Sequence, residues 1–197
     1  MTAIFFDLII SVSIIKYYTS LVIIIKLLFS LSNNKNASGF PDEINASQFK
    51  NFVEWKKQLQ KNKTIPNFNK FDDYYLLKFC RARKFDIAKT DLMFHKFLDW
   101  RATEKVDHIE DNFEYTELMR VKQLYPHGYH KTDKEGRPIY IEMISKIKLK
   151  ELFKTTTIDR LVRYYILEYE RLMKYRFKCC SKAAGKVIDQ SFAILDL

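Results

Sequence analysis

The feature that most limits the fold is a change in the spacing of apolar residues in the second half of the chain. A cluster of turn formers at 133–136 is followed by apolar residues at every second position, Ile139, Ile141 and Met143. Alternation with a period of two is typical of a strand that buries one face. The segment after the turn is therefore predicted to be a half-buried β-strand.

Two further elements follow this strand and set the topology. A helical pattern extends from Ile158 to about Lys182 with Thr157 as its N-cap, and the β-branched run from Val187 to Leu197 then predicts a buried strand. A strand, a crossover helix and a second strand make one parallel βαβ unit. One unit cannot close a core, because a parallel sheet is normally covered on both faces. The expected fold class is α/β, with a small N-terminal helical domain followed by an incomplete βαβ domain.

The first half of the chain predicts helices. A helix from Gln48 to about Lys61 is the first of four, and the last one ends before Pro126. The other three are a short helix capped by Asp72 that buries Leu76, Leu77 and Cys80, a helix capped by Asp86 that continues through Trp100, and a helix over about Glu114 to Leu124. The apolar side of the first helix is predicted to consist of Phe49, Phe52, Val53, Trp55 and Leu59.

Composition shifts divide the chain into four segments. Residues 1–31 are a hydrophobic leader interrupted by Asp7, Lys16 and Lys26. Charges inside a membrane span are costly, so the leader is interpreted as an interfacial helix acting as a membrane anchor, with a gene-model extension as the alternative. Residues 32–46 are a polar linker, 47–112 the helical domain, and 113–197 the first part of the α/β domain.

Composition and motifs narrow the function classes. The chain has 34 Lys and Arg against 24 Asp and Glu, a formal charge of +10, which suits an anionic membrane surface or a nucleic acid. Cys80, Cys179 and Cys180 match neither a zinc site nor a disulfide framework. The sequence contains no nucleophile, phosphate-loop or metalloprotease motif, and His127 and His130 are predicted to flank a turn. We therefore expect no catalytic residues, no metal and no cofactor.

Two groups of side chains are candidate binding residues. Arg81, Arg83 and Lys84 crowd the end of a helix, where the helix dipole favours cations, but three exceed what capping requires and suit a phosphate group. The second group consists of tyrosines in the α/β half, which are Tyr125, Tyr129, Tyr140, Tyr164, Tyr165, Tyr169 and Tyr175. Most tyrosines are core or rim residues, but these also suit a cavity that holds an acyl lipid near its headgroup.

Four motifs, RARKFD, HKTDKEGRP, CSKAAG and SFAILDL, occur in this order over about residues 46–197. Together they resemble the CRAL-TRIO family, and within it the branch that transfers phosphatidylinositol and phosphatidylcholine. The resemblance implies a helical domain before an α/β domain whose sheet floors a lipid cavity closed by a mobile helix. It also implies phospholipid binding and transfer between membranes, in support of phosphoinositide metabolism and membrane traffic.

The resemblance assigns roles to individual residues. Lys84 matches a lysine that binds the headgroup phosphate of phosphatidylinositol, with Arg83 and Arg81 beside it. Phosphatidylcholine contacts match Tyr129, Tyr140, Tyr169 and Ser191. Ala193 stands where the family has a hydroxyl, so one phosphocholine contact is expected to be lost.

The resemblance also implies partners and a location. The protein is expected to be a monomer that meets phospholipid at a membrane surface, without nucleic acid, in the cytoplasm and peripherally at Golgi or endosomal membranes. The alternatives are a carrier of a tocopherol-like or retinoid-like ligand, a basic nucleic-acid-binding protein and an enzyme of phosphoinositide metabolism. Because the closing helix would lie beyond Leu197, this chain is expected to be a fragment that does not transfer lipid by itself. Two acyl chains of about 30 methylenes, at roughly 0.8 kcal/mol each, need a whole cavity.

Overall fold

Two helices of the first half begin at the side-chain caps Asp72 and Asp86, as predicted. In the computed structural model, which describes residues 44–62, 65 and 68–197, the chain divides into two compact units between Arg101 and Ala102. Helix α1 spans Ala46–Lys61, α2 spans Asp73–Ala82 and α3 spans Ile87–Thr103. The carboxylates of Asp72 and Asp86 accept hydrogen bonds from the first-turn amides of α2 and α3, at 2.8 and 3.0 Å.

Helix α1 begins two residues earlier than predicted. The side chain of Asn45 accepts a hydrogen bond from the amide of Gln48 at 2.9 Å, and the side chain of Gln48 accepts one from the amide of Asn45 at 3.1 Å. This reciprocal pair is a capping box, and it fixes Ala46 as the first helical residue.

Aromatic rings form the core of the first unit. The ring of Phe94 lies 5.1 to 5.5 Å from those of Phe79, Phe71 and Trp55, in each case edge to face. The predicted burial of Phe49 is wrong, because its side chain is 58% exposed. An ideal helix places Phe49 about 90° from the stripe that contains Trp55, so it turns away from this core.

The second unit combines helices with a three-stranded sheet. Its elements are α4 (Ile109–Asn112), α5 (Leu118–Leu124), β1 (His127–Thr132), β2 (Pro138–Met143), α6 (Leu149–Thr155), α7 (Ile158–Arg171), a π-helical turn (Leu172–Arg176), α8 (Phe177–Ala184) and β3 (Phe192–Asp196). Strand β2 pairs with β1 antiparallel and with β3 parallel. The α/β class and the parallel βαβ unit are therefore confirmed.

Strand β1 changes the interpretation of the histidines. His127 and His130 are predicted to flank a turn, but both lie within β1. The turn formers at 133–136 instead close a β-hairpin, in which the carboxylate of Asp133 accepts from the amide of Arg137 at 2.8 Å. Gly136 has a φ of +85°, and a Cβ there would lie 2.8 Å from the Cβ of Ala184, so this position requires glycine.

The predicted helix over residues 114–124 is too long, because α5 begins only at Leu118. The backbone carbonyl of Glu114 accepts a hydrogen bond from the guanidinium of Arg160 at 3.0 Å. The carboxylate of Glu117 binds the same guanidinium at 2.6 and 2.7 Å. Contacts with α7 therefore hold this segment outside a helix.

The helix predicted over residues 158–182 is confirmed in outline. The hydroxyl of Thr157 caps it by accepting from the amide of Arg160 at 3.2 Å, as expected. It is not one continuous α-helix, because the π-helical turn separates α7 from α8. Gly185, with a φ of +66°, follows the last residue of α8.

The strand predicted from Val187 to Leu197 is shorter in the structure. Only Phe192–Asp196 pairs with β2. The amide of Ile188 instead donates to the hydroxyl of Ser181 at 2.8 Å, and Ile188 is buried. Phe192 and Ile194 are each 42% exposed, on the face of β3 that the described residues leave open.

The hydrophobic leader and most of the predicted linker lie outside the described residues. Within residues 44–62, 65 and 68–197, no helix combines the length and hydropathy needed to cross a bilayer. In the same part of the chain, no cluster of histidine, cysteine and carboxylate side chains could hold a metal ion.

Candidate functional site

One face of the sheet gathers two of the predicted tyrosines. Tyr129 and Tyr140 are directly opposite on β1 and β2, and their ring centroids lie 5.1 Å apart. Ala193 of β3 is opposite Tyr140 in the parallel register. Because opposed residues share a face, the three side chains lie in one row across the sheet. We call this row the tyrosine face.

A second cross-strand pair extends the tyrosine face. His127 is opposite Glu142, two residues along each strand from the tyrosines. The imidazole of His127 donates from Nδ1 to the carbonyl oxygen of Tyr125 at 2.7 Å, so Nε2 is its unprotonated acceptor. Nε2 is buried and has no hydrogen-bond partner among the described residues.

Helix α7 packs against this face. The ring of Tyr165 lies 5.6 Å from that of His127, and Tyr164 lies at the same distance. Tyr169 follows Tyr165 by one helical turn, so it lies on the same side of α7, and it is buried. Three of the four residues predicted to contact phosphatidylcholine therefore belong to the sheet face or to the helix that covers it.

One cation reaches the tyrosine face. The guanidinium of Arg176, in the π-helical turn, lies 4.6 Å from the ring centroid of Tyr129, within the range of a cation–π interaction. The same guanidinium donates to the carboxylate of Glu168 at 2.8 Å. Arg176 is not among the residues predicted from the sequence, and the π-helical turn that carries it changes the spacing that a regular α-helix would give.

Burial shifts the pKa values of the other ionisable groups of the tyrosine face toward their neutral forms. It raises the pKa of Tyr129 to about 12 and that of Glu142 to about 7, and it raises the pKa of Tyr140 further. It lowers the pKa of His127 to about 4, with the charge of Lys122 acting in the same direction. At neutral pH the tyrosine face is therefore a polar surface on which His127, Tyr129 and Tyr140 are uncharged, Glu142 is near its pKa, and Arg176 is paired with Glu168.

Ser191 lies just outside the sheet. It directly precedes β3 and is half-buried. It stands two positions before Ala193, so an extended chain places both on the same side. The methyl group of Ala193 can form no hydrogen bond beside Tyr140.

The predicted phosphate-binding residues lie in the first unit. Arg81 is in the last turn of α2, Arg83 is its C-cap, and Lys84 and Phe85 follow with positive φ values of 52° and 59°. The amide of Phe85 closes this turn by donating to the carbonyl of Cys80 at 2.8 Å. The side chain of Lys84 is exposed and forms no hydrogen bond or ion pair with the described part of the chain. This left-handed turn presents Lys84 to solvent.

Comparisons with curated proteins identify the family. The phosphatidylinositol/phosphatidylcholine transfer protein SFH7 of Arabidopsis thaliana is 41% identical over 157 residues, 79% of this chain and 28% of the relative. The SEC14 cytosolic factor of Kluyveromyces lactis is 37% identical over 160 residues, 81% of this chain and 52% of the relative. The chain belongs to the CRAL-TRIO family.

A third relative extends the match. The cytosolic factor of the same name from Schizosaccharomyces pombe is 38% identical over 169 residues, 86% of this chain and 58% of the relative. The matched region thus spans between about a quarter and three fifths of the length of these CRAL-TRIO proteins. No family model matches the chain. The predicted membership is confirmed through the individual relatives, two of which are named as cytosolic factors.

Proposed function

We propose that this CRAL-TRIO chain binds phosphatidylcholine and phosphatidylinositol and takes part in their transfer between membranes. The observation that carries the proposal is the tyrosine face, where Tyr129 and Tyr140 lie 5.1 Å apart below the helix that bears Tyr169. The relatives named above are phosphatidylinositol/phosphatidylcholine transfer proteins, which supports the same ligands. Transfer would support phosphoinositide metabolism and membrane traffic.

The tyrosine face suits a choline headgroup. Aromatic rings attract quaternary ammonium ions, and the ring of Tyr129 already holds a guanidinium at 4.6 Å. The guanidinium of Arg176 is also a suitable partner for the lipid phosphate. In this proposal Tyr129, Tyr140, Tyr169 and Ser191 contact phosphatidylcholine, and Ala193 contributes no hydrogen bond.

The end of α2 suits the phosphate of phosphatidylinositol. Lys84 offers an exposed charge, and Arg83 and Arg81 offer guanidinium groups that can bind phosphate through two parallel hydrogen bonds. The two proposed headgroup contacts lie in different units of the structure. We assign them to different lipids, because phosphatidylinositol carries a net negative charge and phosphatidylcholine does not.

The proposal also covers catalysis, oligomeric state, cellular location and domain boundaries. We propose that the protein carries its lipid without catalysing a reaction, as a monomer without nucleic acid. It would work in the cytoplasm, peripherally at Golgi or endosomal membranes, with residues 1–31 as an N-terminal anchor before the linker at 32–46. The domains would extend over 47–112 and 113–197.

Short-chain lipids test this proposal on the 197-residue chain. Dioctanoyl phosphatidylinositol and dioctanoyl phosphatidylcholine are titrated into the protein by isothermal calorimetry. Lys84→Ala should weaken phosphatidylinositol binding at least about ten-fold, because a hydrogen bond to a charged group contributes about 1.5–3 kcal/mol. It should leave phosphatidylcholine binding unchanged. Lys96→Ala removes an exposed lysine of α3 and is the matched control.

Tyr129→Ala should have the opposite effect and weaken phosphatidylcholine binding. If neither lipid binds the unsubstituted chain, the proposal is wrong for these residues. If a tocopherol binds and the phospholipids do not, the chain carries another hydrophobic ligand. Equal losses of both lipids in the Lys84 variant would indicate that Lys84 stabilises the end of α2.

A further inference from the structure

Helix α6 presents apolar side chains to two environments. Leu152 is 2% exposed and belongs to the core of the second unit, which explains why the helix packs there. Leu149 and Phe153 are 48% and 51% exposed. On an ideal helix these two side chains lie about 40° apart, so they form one exposed apolar ridge.

Lysines surround this ridge. Lys146, Lys148, Lys150 and Lys154 are exposed, and none of their side chains forms an ion pair or hydrogen bond with the described residues. In a view along the helix axis, Lys150 and Lys154 lie about 60° and 100° to the same side of Phe153. Glu151 is the only acidic residue between 144 and 158, and it points about 160° away from Phe153. The ridge is therefore flanked by unpaired positive charge.

We propose that α6 docks the protein onto an anionic membrane, with the ridge of Leu149 and Phe153 in the interface and the four lysines at the headgroups. An amphipathic helix binds a bilayer through its buried apolar area and through attraction to anionic lipids, and this surface supplies both. A nucleic acid would neutralise the lysines but leave the ridge in water. The inference rests on the proposed function only because a transfer protein must meet a bilayer.

A local probe tests docking in the full chain. Residues 1–31 are themselves apolar, so sedimentation of the whole protein with vesicles cannot identify the surface that binds. Phe153→Trp places a reporter on the ridge, and both natural tryptophans, Trp55 and Trp100, are buried. Val187→Trp is the matched control, because Val187 is also 51% exposed. The vesicles contain phosphatidylcholine with brominated acyl chains, with or without phosphatidylserine.

The expected result is a blue shift and quenching of the F153W emission with phosphatidylserine vesicles, and neither effect for V187W. Each lysine near an anionic leaflet changes binding about five-fold. Adding Lys148→Gln, Lys150→Gln and Lys154→Gln to F153W should therefore raise the vesicle concentration for half-maximal quenching about 100-fold. The same substitution of three exposed lysines elsewhere, Lys178, Lys182 and Lys186, should change it little.

Three outcomes would overturn the docking surface: no quenching of F153W, equal quenching of both tryptophan variants, or equal losses from the two lysine triplets. A concentration-dependent increase in mass without vesicles, lost in Phe153→Ser, would instead assign the ridge to self-association. Calorimetry with short-chain lipid separates docking from the proposed function. Quenching without lipid binding contradicts only the proposed function, and lipid binding without quenching contradicts only the docking surface.

Discussion

Glu117 connects α5 to α7 through hydrogen bonds. The substitution Glu117→Gln should show how much these contacts contribute to the free energy of unfolding. The carboxylate of Glu117 accepts two hydrogen bonds from Arg160, at 2.6 and 2.7 Å, and one from the hydroxyl of Thr156 at 2.9 Å. A glutamine amide can keep one oxygen for Arg160 Nε and Thr156, but its NH2 group then faces the other guanidinium nitrogen, so one hydrogen bond and the charge are lost. We expect the variant to fold, with a lower free energy of unfolding at pH 7.

The pKa of Glu117 sets the size of this loss. The hydrogen bonds from Arg160 lower the pKa from 4.5 to about 2, the largest effect, with help from Thr156. A shift of this size corresponds to about 3 kcal/mol. The side chain of Glu117 is 15% exposed but that of Arg160 is 41% exposed, so screening by solvent reduces the loss to about 1–2 kcal/mol.

The lowered pKa of Glu117 also determines how its contribution to the free energy of unfolding depends on pH. A carboxyl group whose pKa is lower in the folded protein than in the unfolded chain stabilises the folded state at pH values above its pKa in the unfolded chain. This stabilisation disappears as the pH falls from about 5 through 2. Urea unfolding of both proteins, followed by far-UV circular dichroism, should therefore give curves that differ at pH 7 and converge at lower pH. Glu151→Gln, at an exposed residue of α6, is the matched control. A difference that stays constant with pH, or a Glu117 carboxyl that titrates near 4.5 by carbon-13 NMR, would refute the argument.

Two further predictions follow from burial. Burial raises the pKa of the Cys80 thiol to about 12, whereas Cys179 is exposed. Iodoacetamide should therefore modify Cys179 in the native protein and Cys80 only after unfolding. Mass spectrometry of the peptides measures both modifications. Equal rates for the two thiols would contradict the buried position of Cys80. Phe192 and Ile194 leave apolar surface open on β3, so the chain should bind a hydrophobic dye, and Phe192→Ser with Ile194→Thr should lower the dye fluorescence relative to the unsubstituted chain. Unchanged fluorescence would place the dye elsewhere.

Local chemistry made much of the helical structure predictable. Asp72, Asp86 and Thr157 each begin a helix through a hydrogen bond to a backbone amide within three residues, so a short stretch of sequence contains the whole cause. The same kind of signal could have found the start of α1. Asn45 and Gln48 have the spacing of a capping box, but the turn-rich composition before them favoured a linker.

Strand β1 could not be predicted in the same way. Its sequence, HGYHKT, has no alternation of apolar residues, and its burial falls from half-buried to exposed along its length. Pairing with β2 creates this strand, and that partner lies across a hairpin turn. The late start of α5 has a similar origin, since Arg160 lies more than forty residues from the carbonyl that it binds. Both errors concern contacts that depend on the tertiary structure.

The charge balance of the tyrosine face explains why the proposed headgroup contacts should be separate. The carboxylate of Glu168 pairs with Arg176 and also with Arg171, while burial keeps His127 neutral and raises the pKa of Glu142 to about 7. A zwitterionic headgroup can enter such a surface without adding net charge. An anionic headgroup would bring an unbalanced charge into a region that burial already makes unfavourable for ions. Phosphatidylinositol therefore needs cations that remain in water, and Lys84 at the end of α2 meets that requirement.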